Sequence, residues 1–195
     1  KYTAGFVHQV MYNTYLKDHH LSNDNGCYIF IDLKGCIWIS ANSGTFVLNP
    51  ANGQWKPVRE YLAALGFQLP QLGAVIVRDV AADKKGNLWV ATDHNGLILL
   101  NYNTHLFRQF LHSNAKGSIV DNSLQKVYVD EEDGVWVGSY KNGVAYYSPA
   151  STKFNTIPLG DICTITQDLI GNLWCGTNDH GIVCYNPITG QSWVF

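Results

Sequence analysis

The chain has 195 residues, of which 46% are apolar and 13% aromatic, so it can bury a sizeable core. Its formal net charge is -2 and only 14% of its residues are charged. This argues against a nucleic-acid or polyanion binder, because such a protein presents a basic face. No apolar run approaches roughly eighteen residues, so no membrane-spanning helix is predicted. The chain opens on Lys1 and Tyr2 without an apolar leader, as expected of a mature or excised segment.

Residues 1–25 contain one predicted strand, Phe6 to Leu16, ahead of a pattern that recurs four times. Each copy has Asp followed six residues later by Trp, with Gly between them and a second Gly after the Trp. The pairs are Asp32 and Trp38, Asp83 and Trp89, Asp130 and Trp136, and Asp168 and Trp174. Each period of roughly 40 to 50 residues also has four short apolar runs, which is typical of a propeller blade.

The predicted fold class is therefore all-β, with about four blades that are four-stranded antiparallel meanders. In chain order, this single propeller segment comprises a strand of a preceding blade with its lead-in (1–25), blade 1 (26–59), an insertion (60–74), blade 2 (75–111), a linker (112–123), blade 3 (124–157) and blade 4 (158–195). In the insertion, Tyr61 to Gly66 is predicted to form a short helix that ends at Gly66, and Pro70 prevents its continuation.

Four blades raise the question of how the ring is completed. An open arc leaves two apolar faces bare. The chain could close as a four-bladed ring or pair its terminal blades with another chain, for example as a homodimer. An incomplete segment of a larger propeller is the favoured interpretation.

The repeated residues have distinct predicted roles. The Asp can accept hydrogen bonds from the backbone two residues on, and the Gly supplies the positive φ of a tight turn. The Trp is predicted to lie in the core between neighbouring blades. Leu88 and Val90 alternate with Trp89 and Ala91, so both faces of that strand are apolar, as expected where blades stack on each side.

Five cysteines, with no C-x-x-C pair, do not indicate a disulfide framework or a zinc site. One pair is a candidate bridge. If the hairpin around Asp179 and His180 is symmetric, Cys175 and Cys184 face each other across adjacent strands.

The repeat resembles a known family. The lead-ins Leu21 to Asn25 and Asp121 to Leu124, together with the Asp-x-x-Gly-Asn-Leu-Trp core and its Gly-Thr ending, resemble the two-component regulator propeller repeat. The resemblance covers roughly residues 20 to 195. It implies a periplasmic sensor region of a Bacteroides-type hybrid two-component system. It further implies an oligosaccharide ligand, remaining blades and kinase regions of the same protein as partners, and histidine kinase activity only in the full-length protein.

Loops between the second and third strands of successive blades converge on one face of a propeller, where ligands usually bind. The candidate ligand-binding residues there are Asp93, His94 and Asn95 in blade 2, Tyr140, Lys141 and Asn142 in blade 3, and Asn178, Asp179 and His180 in blade 4. Their amides, carboxylates and imidazoles can hydrogen-bond sugar hydroxyls. The alternative is that they are simply turn-forming residues.

Arg78 lies on a predicted inner strand and is a candidate anchor for an anionic group such as a uronate or a sulfate. The alternative is an ion pair with Asp79 or with a neighbouring loop carboxylate. His94 and His180 each stand beside a single Asp, so no metal or other cofactor is predicted. The acidic run Glu131 to Asp133 falls in a predicted turn and is interpreted as solvent-exposed.

These patterns favour a non-enzymatic ligand-sensing module. Two alternatives stay open. A propeller enzyme resembling a lyase would bring His94 or His180 close to two acidic groups. A protein-interaction scaffold would expose an apolar patch on one face and would have no concave polar site.

Overall fold

A computed structural model describes residues 27–70, 74–151 and 153–195. The strand predicted from Phe6 to Leu16 lies outside these residues. The described residues form sixteen β-strands and one α-helix, and no helix among them is long and apolar enough to span a membrane.

The strands fall into four blades. Blade 1 contains β1 (Tyr28–Ile31), β2 (Ile37–Ala41), β3 (Gly44–Asn49) and β4 (Gln54–Pro57), followed by helix α1 (Val58–Ala64). Blade 2 contains β5 (Ile76–Ala82), β6 (Asn87–Asp93), β7 (Leu97–Asn101) and β8 (Leu106–Phe110). Blade 3 contains β9 (Leu124–Val129), β10 (Val135–Ser139), β11 (Val144–Tyr147) and β12 (Phe154–Ile157). Blade 4 contains β13 (Ile162–Gln167), β14 (Leu173–Thr177), β15 (Ile182–Tyr185) and β16 (Ser192–Val194).

Each blade is an antiparallel sheet whose strands pair in chain order, so the predicted all-β fold of four-stranded meanders is confirmed. In every blade, the turn joining the first two strands and the turn joining the last two lie at one end. The loop joining the second and third strands lies at the other end, together with the connections between blades. We call these the turn end and the loop end.

The repeated Asp organises the turn end of each blade. In blade 2, Oδ1 of Asp83 accepts hydrogen bonds from the backbone N–H groups of Lys85 and Asn87 at 3.0 and 2.9 Å. Its Oδ2 accepts the indole N–H of Trp89 at 3.0 Å. The indole bond recurs in the other three blades at 3.0, 2.9 and 2.8 Å. The predicted turn role of the Asp is confirmed, and the carboxylate also fixes the Trp.

The Trp residues lie between blades, as predicted. Leu88 and Val90 of β6 pack with Trp38 of blade 1, whereas Trp89 and Ala91 on the opposite face pack with blade 3. Trp136 similarly packs against blade 4. A β-strand sends alternate side chains to opposite faces, so a strand between two blades is apolar on both.

The four blades form an open arc. The three clusters of buried apolar residues in the described part of the chain lie between blades 1 and 2, 2 and 3, and 3 and 4. On the last blade, Trp174 is only half-buried and stacks on Phe195, with ring centroids 5.6 Å apart. The predicted incomplete propeller segment is therefore confirmed.

Helix α1 occupies part of the predicted insertion. Its buried side chains are Val58, Tyr61 and Leu62, whose spacing of three and four residues puts them on one face of a helix. This face joins the core between blades 1 and 2. The helix ends at Ala64, and Gly66 follows with φ +93°, a conformation that glycine adopts without strain.

The candidate bridge between Cys175 and Cys184 is not formed, because both thiols are free. In the observed register, Cys175 lies opposite Val183, and Cys184 lies opposite Trp174. Directly opposed residues project to the same face of a sheet, so residues one position out of register project to opposite faces. The two sulfur atoms therefore lie on opposite faces of blade 4.

The inner strands of blades 2, 3 and 4 each contain a β-bulge near the loop end. The register skips one residue in each strand, and the skipped residues are Arg78, Gln125 and Cys163. A bulge leaves one residue outside the ladder and redirects its side chain. Arg78 therefore owes its orientation to an irregularity that recurs from blade to blade.

Candidate functional site

Arg78 and Asp93 form an ion pair at the loop end of blade 2. Nη2 of Arg78 donates a hydrogen bond to Oδ2 of Asp93 at 2.6 Å, and the two side chains are 18% and 15% exposed. The bulge at Arg78 and the end of β6 at Asp93 bring these groups together. The sequence left two partners open for Arg78, namely Asp79 and a loop carboxylate, and the structure shows the loop carboxylate. Asp79 instead pairs with Lys126 at 3.4 Å.

Asp93 connects Arg78 to His94. Its second oxygen, Oδ1, lies 2.7 Å from Nδ1 of His94, whose side chain is 81% exposed. Burial raises the pKa of Asp93, but the hydrogen bond and charge of Arg78 outweigh burial and hold that pKa below its usual range. The carboxylate is therefore ionised and can orient both neighbours.

Tyr28 completes this cluster. Its ring lies beneath the Arg78 guanidinium, 5.4 Å from ring centroid to Cζ, and its hydroxyl is 3.5 Å from Nη1. The Tyr28 side chain is exposed and stacks parallel to Phe30. Sequence reasoning missed Tyr28, because nothing in the repeat pattern relates it to Arg78 fifty residues away. We call Tyr28, Arg78, Asp93 and His94 the loop-end cluster.

Ser123 joins the loop-end cluster to blade 3. Its side chain lies near the Asp93 carboxylate and helps to lower the pKa of that group, and its carbonyl accepts the backbone N–H of Tyr140 at 3.0 Å. Beside this contact, the ammonium of Lys141 lies 5.3 Å from the centroid of the Tyr140 ring, a cation–π distance. Predicted residues from two successive blades are therefore connected at the loop end.

The three predicted Asn residues brace the loop end. Asn142 donates from Nδ2 to Oδ2 of Asp121 at 2.7 Å, and Asn178 makes the equivalent bond to Asp161 at 3.3 Å. Asn95 bonds the carbonyl of Ala74 at 3.3 Å. Each amide ties the loop after its second strand to the segment that enters the same blade. These amides are therefore already engaged.

In blade 4, Asp179 pairs with His180 at 2.9 Å between Oδ1 and Nδ1, and both side chains are exposed. The hydrogen bond from His180 lowers the pKa of Asp179. Across residues 27–70, 74–151 and 153–195, no group of three or more His, Cys, Asp or Glu side chains could hold a metal ion. Within the described part of the chain, His94 contacts the carboxylate of Asp93 and His180 that of Asp179, whereas a lyase-like site would bring two carboxylates to one histidine.

A second concave surface lies at the turn end, between blades 3 and 4. This groove has a volume of about 890 Å³. Its lining includes the turn of blade 3 with Glu131 and Glu132, the turn of blade 4 with Leu169 and Ile170, and the rings of Tyr128, Tyr146 and Tyr185. The sequence placed Glu131 and Glu132 correctly in an exposed turn. It missed the groove, which exists only where the two blades meet.

The sequence model of the two-component regulator propeller matches residues 71–94, which cover the inner strand, the Asp turn and the Trp strand of blade 2. The chain carries the two-component regulator propeller repeat. The resemblance inferred from the repeated residues is thereby confirmed. No relative is detected among curated protein sequences.

Solved structures share the fold. The extracellular domain of a proposed hybrid two-component system from B. thetaiotaomicron has a TM-score of 0.71 and 20% identity, over 89% of this chain and 25% of that chain. A second such domain from the same organism has a TM-score of 0.61 and 16% identity, over 86% of this chain and 23% of that chain. PorZ, a surface component of the type-IX secretion system of Porphyromonas gingivalis, has a TM-score of 0.60 and 16% identity, over 87% of this chain and 27% of that chain.

These similarities establish a propeller segment. The chain spans about a quarter of the length of the structures it matches. At 20% identity or below, the likeness shows the fold and leaves ligand and activity to the residues themselves.

Proposed function

We propose that this chain is part of the extracytoplasmic ligand-sensing propeller of a bacterial hybrid two-component sensor. The segment is non-catalytic and lies in the periplasm, and the kinase activity belongs to other regions of the full-length protein. The two-component regulator propeller repeat in blade 2 and the fold shared with extracellular domains of such systems support this proposal.

The loop-end cluster is the proposed ligand contact, and its ligand is an oligosaccharide. The observation that carries this assignment is the Arg78 guanidinium, held by Asp93 over the exposed ring of Tyr28. A sugar can pack against the exposed edge of the Tyr28 ring while its hydroxyls bond neighbouring charged groups. Because Arg78 and Asp93 already hold each other, binding would not require them to be ordered first, which lowers its entropic cost.

The predicted residues of blades 3 and 4 extend this proposed surface. Tyr140 and Lys141 offer a second ring with a cation, and Asp179 and His180 offer a further carboxylate and imidazole. Three side chains support these loops through hydrogen bonds of their amide groups, namely Asn95, Asn142 and Asn178. They contact the ligand only through amide atoms that these hydrogen bonds do not use. A uronate or sulfate group would compete with Asp93 for Arg78, so we propose a neutral sugar at this position.

We also propose that further blades of the same protein cover the bare face of blade 4. Trp193 and Phe195 lie on the same face as Trp174 and are 46% and 72% exposed there, where a neighbouring blade would stack. Ligand binding would bias the packing of one sensor chain against a second in a homodimer. Light scattering of the full-length protein tests the dimer, and a monomer at all concentrations would contradict it.

Calorimetric titration of the full-length protein with a panel of neutral and acidic oligosaccharides tests the ligand. We expect heat with at least one neutral member, and we expect Tyr28→Ala to weaken that binding by about tenfold, the loss of an aromatic contact of about 1.4 kcal/mol. Trp55→Ala on the outer strand β4 is the control and should bind normally. If no oligosaccharide of the panel gave heat of binding, the sugar proposal would be wrong. If Tyr28→Ala bound as the unmodified protein does, the loop-end cluster would not be the binding site.

A further inference from the structure

The groove between blades 3 and 4 stands out when it is compared with the seam between blades 2 and 3. At the turn end of that seam, the backbone N–H of Lys84 donates to Oδ1 of Asp133 at 3.0 Å, and its ammonium bonds the carbonyl of Glu131. These contacts join the turn of blade 2 to the turn of blade 3. The groove left there has a volume of about 150 Å³, against about 890 Å³ between blades 3 and 4.

The two grooves also differ in the charge of their linings. The smaller groove is lined by the cations Lys85 and Arg108 as well as by Asp83 and Asp133. Among the residues that the structure describes, the larger groove is lined by four carboxylates, Asp130, Glu131, Glu132 and Asp168, and by no Lys, Arg or His. Its carboxylates are therefore not balanced by any cation of the lining.

The four carboxylates differ in what they can do. Both oxygens of Asp130 and of Asp168 are engaged by turn N–H groups and by an indole. Glu131 and Glu132 are exposed, and their carboxylates have no hydrogen bond or ion pair to any residue that the structure describes. Burial and then the nearby carboxylates raise the pKa of Tyr128 and Tyr146.

The opposite wall of the groove is apolar and unusually exposed. Leu169, Ile170 and Ile188 are 105%, 80% and 90% exposed. The positions of Leu169 and Ile170 correspond to Lys84 and Lys85 in the turn of blade 2. The turn itself needs only its Asp and Gly, so fold stability does not require apolar side chains at these positions. Exposed apolar side chains grouped beside a groove mark an interaction surface.

We propose that this groove binds a polypeptide segment that carries Lys or Arg next to apolar side chains. Glu131 and Glu132 pair with the cations of this segment. The segment thereby joins the turns of blades 3 and 4, as Lys84 joins the turns of blades 2 and 3. Leu169, Ile170 and Ile188 cover its apolar side chains. The assignment rests on complementarity of charge and polarity, and it is independent of the ligand at the opposite end of the blades.

A labelled peptide of alternating Lys and Leu is a suitable probe, with fluorescence anisotropy of the full-length protein as the readout. We expect it to bind, and we expect a Lys/Ser peptide and a Glu/Leu peptide to bind at least about tenfold more weakly, because each lacks one of the two interactions. Binding should fall at roughly 1 M salt, where the Debye length is about 3 Å.

Two double variants locate the site. Glu131→Gln with Glu132→Gln should weaken the Lys/Leu peptide by about tenfold at low salt, and Leu169→Ser with Ile170→Ser should weaken it several-fold. Their controls are Glu60→Gln, which removes an exposed carboxylate from α1, and Leu33→Ser, which changes the equivalent turn position of blade 1. Both controls should bind as the unmodified protein does.

Equal binding by the unmodified protein and by both double variants would overturn the proposal. So would displacement of the peptide by a neutral oligosaccharide, since the groove would then be a sugar site. A loss of peptide binding supports the proposal only if the variant keeps the thermal unfolding midpoint of the unmodified protein. The altered side chains are exposed, so we expect those midpoints to agree.

Discussion

The hydroxyl of Tyr61 donates a hydrogen bond of 2.6 Å to Oδ2 of Asp32. The same oxygen accepts the indole N–H of Trp38 at 3.0 Å and the hydroxyl of Tyr102 at 3.1 Å. One buried carboxylate thus joins the insertion helix α1, blade 1 and blade 2. Burial raises the pKa of both tyrosines, and their bonds to Asp32 raise it further.

Replacing Tyr61 tests this junction. Tyr61→Phe should lower the free energy of unfolding by about 1.5 to 3 kcal/mol, the usual contribution of a hydrogen bond to a charged group. Urea denaturation measures the loss. Tyr147→Phe is the control, because no hydrogen bond of its hydroxyl to a described residue is found, and it should be close to neutral. Equal losses in both variants would contradict the role assigned to Asp32.

The repeated Asp should contribute most to the free energy of unfolding in the blade where it accepts the most hydrogen bonds. In Asp32→Asn, an amide NH₂ can face the three donor groups of Trp38, Tyr61 and Tyr102, so the loss should reach about 3 kcal/mol or more. Asp168→Asn on the open blade should cost less, because solvent reaches its partners. Thermal unfolding of the two variants ranks them. A larger loss at Asp168 would be inconsistent with this explanation.

The ion pair of Arg78 and Asp93 should depend on pH. Because Arg78 lowers the folded-state pKa of Asp93, the pair stabilises the fold fully above the unfolded-state pKa of about 4. This contribution is lost as pH falls through the lower folded-state pKa. A double-mutant cycle of Arg78→Met and Asp93→Asn should give a coupling of about 1 kcal/mol at neutral pH that disappears in strong acid. A coupling that survives in acid would argue against an ionic pair.

Two glycine substitutions should act by different mechanisms. A Cβ at Gly138 would lie 2.5 Å from Cγ2 of Ile162 in blade 4, so Gly138→Ala should cost about 1 to 3 kcal/mol through overpacking between blades. Gly35 has open space around it but a φ of +75°. Gly35→Ala should therefore cost only about 1 to 2 kcal/mol of backbone strain. Ile162→Ala, which removes Cγ2, should relieve part of the first loss and none of the second.

Thiol reactivity tests the register of blade 4. Burial raises the pKa of Cys175 to about 12, so its thiol should resist alkylation in the folded protein. The exposed Cys27 and Cys163 should react. After denaturation without reductant, mass spectrometry should find Cys175 and Cys184 both alkylated. A mass two hydrogens lower, with neither modified, would mean that the bridge forms.

The sequence by itself determined the blades. Four copies of Asp, Gly and Trp at similar spacing predict about four blades of four short strands, and the described residues form four such sheets, because turn chemistry and alternation are local properties. The interblade position of Trp89 also followed from local pattern, since a strand that is apolar on both faces must be covered on both.

Tertiary structure alone decided which side chains meet. Arg78 and Tyr28 come from different blades, and the bulge that turns Arg78 out of the ladder is visible only in the register of paired strands. The groove between blades 3 and 4 likewise depends on two turns that lie nearly forty residues apart in the repeat. Side-chain spacing predicts an element, but the distance between elements is set by how the blades stack. For that reason the repeat was readable in the chain, and the cluster and the groove were not.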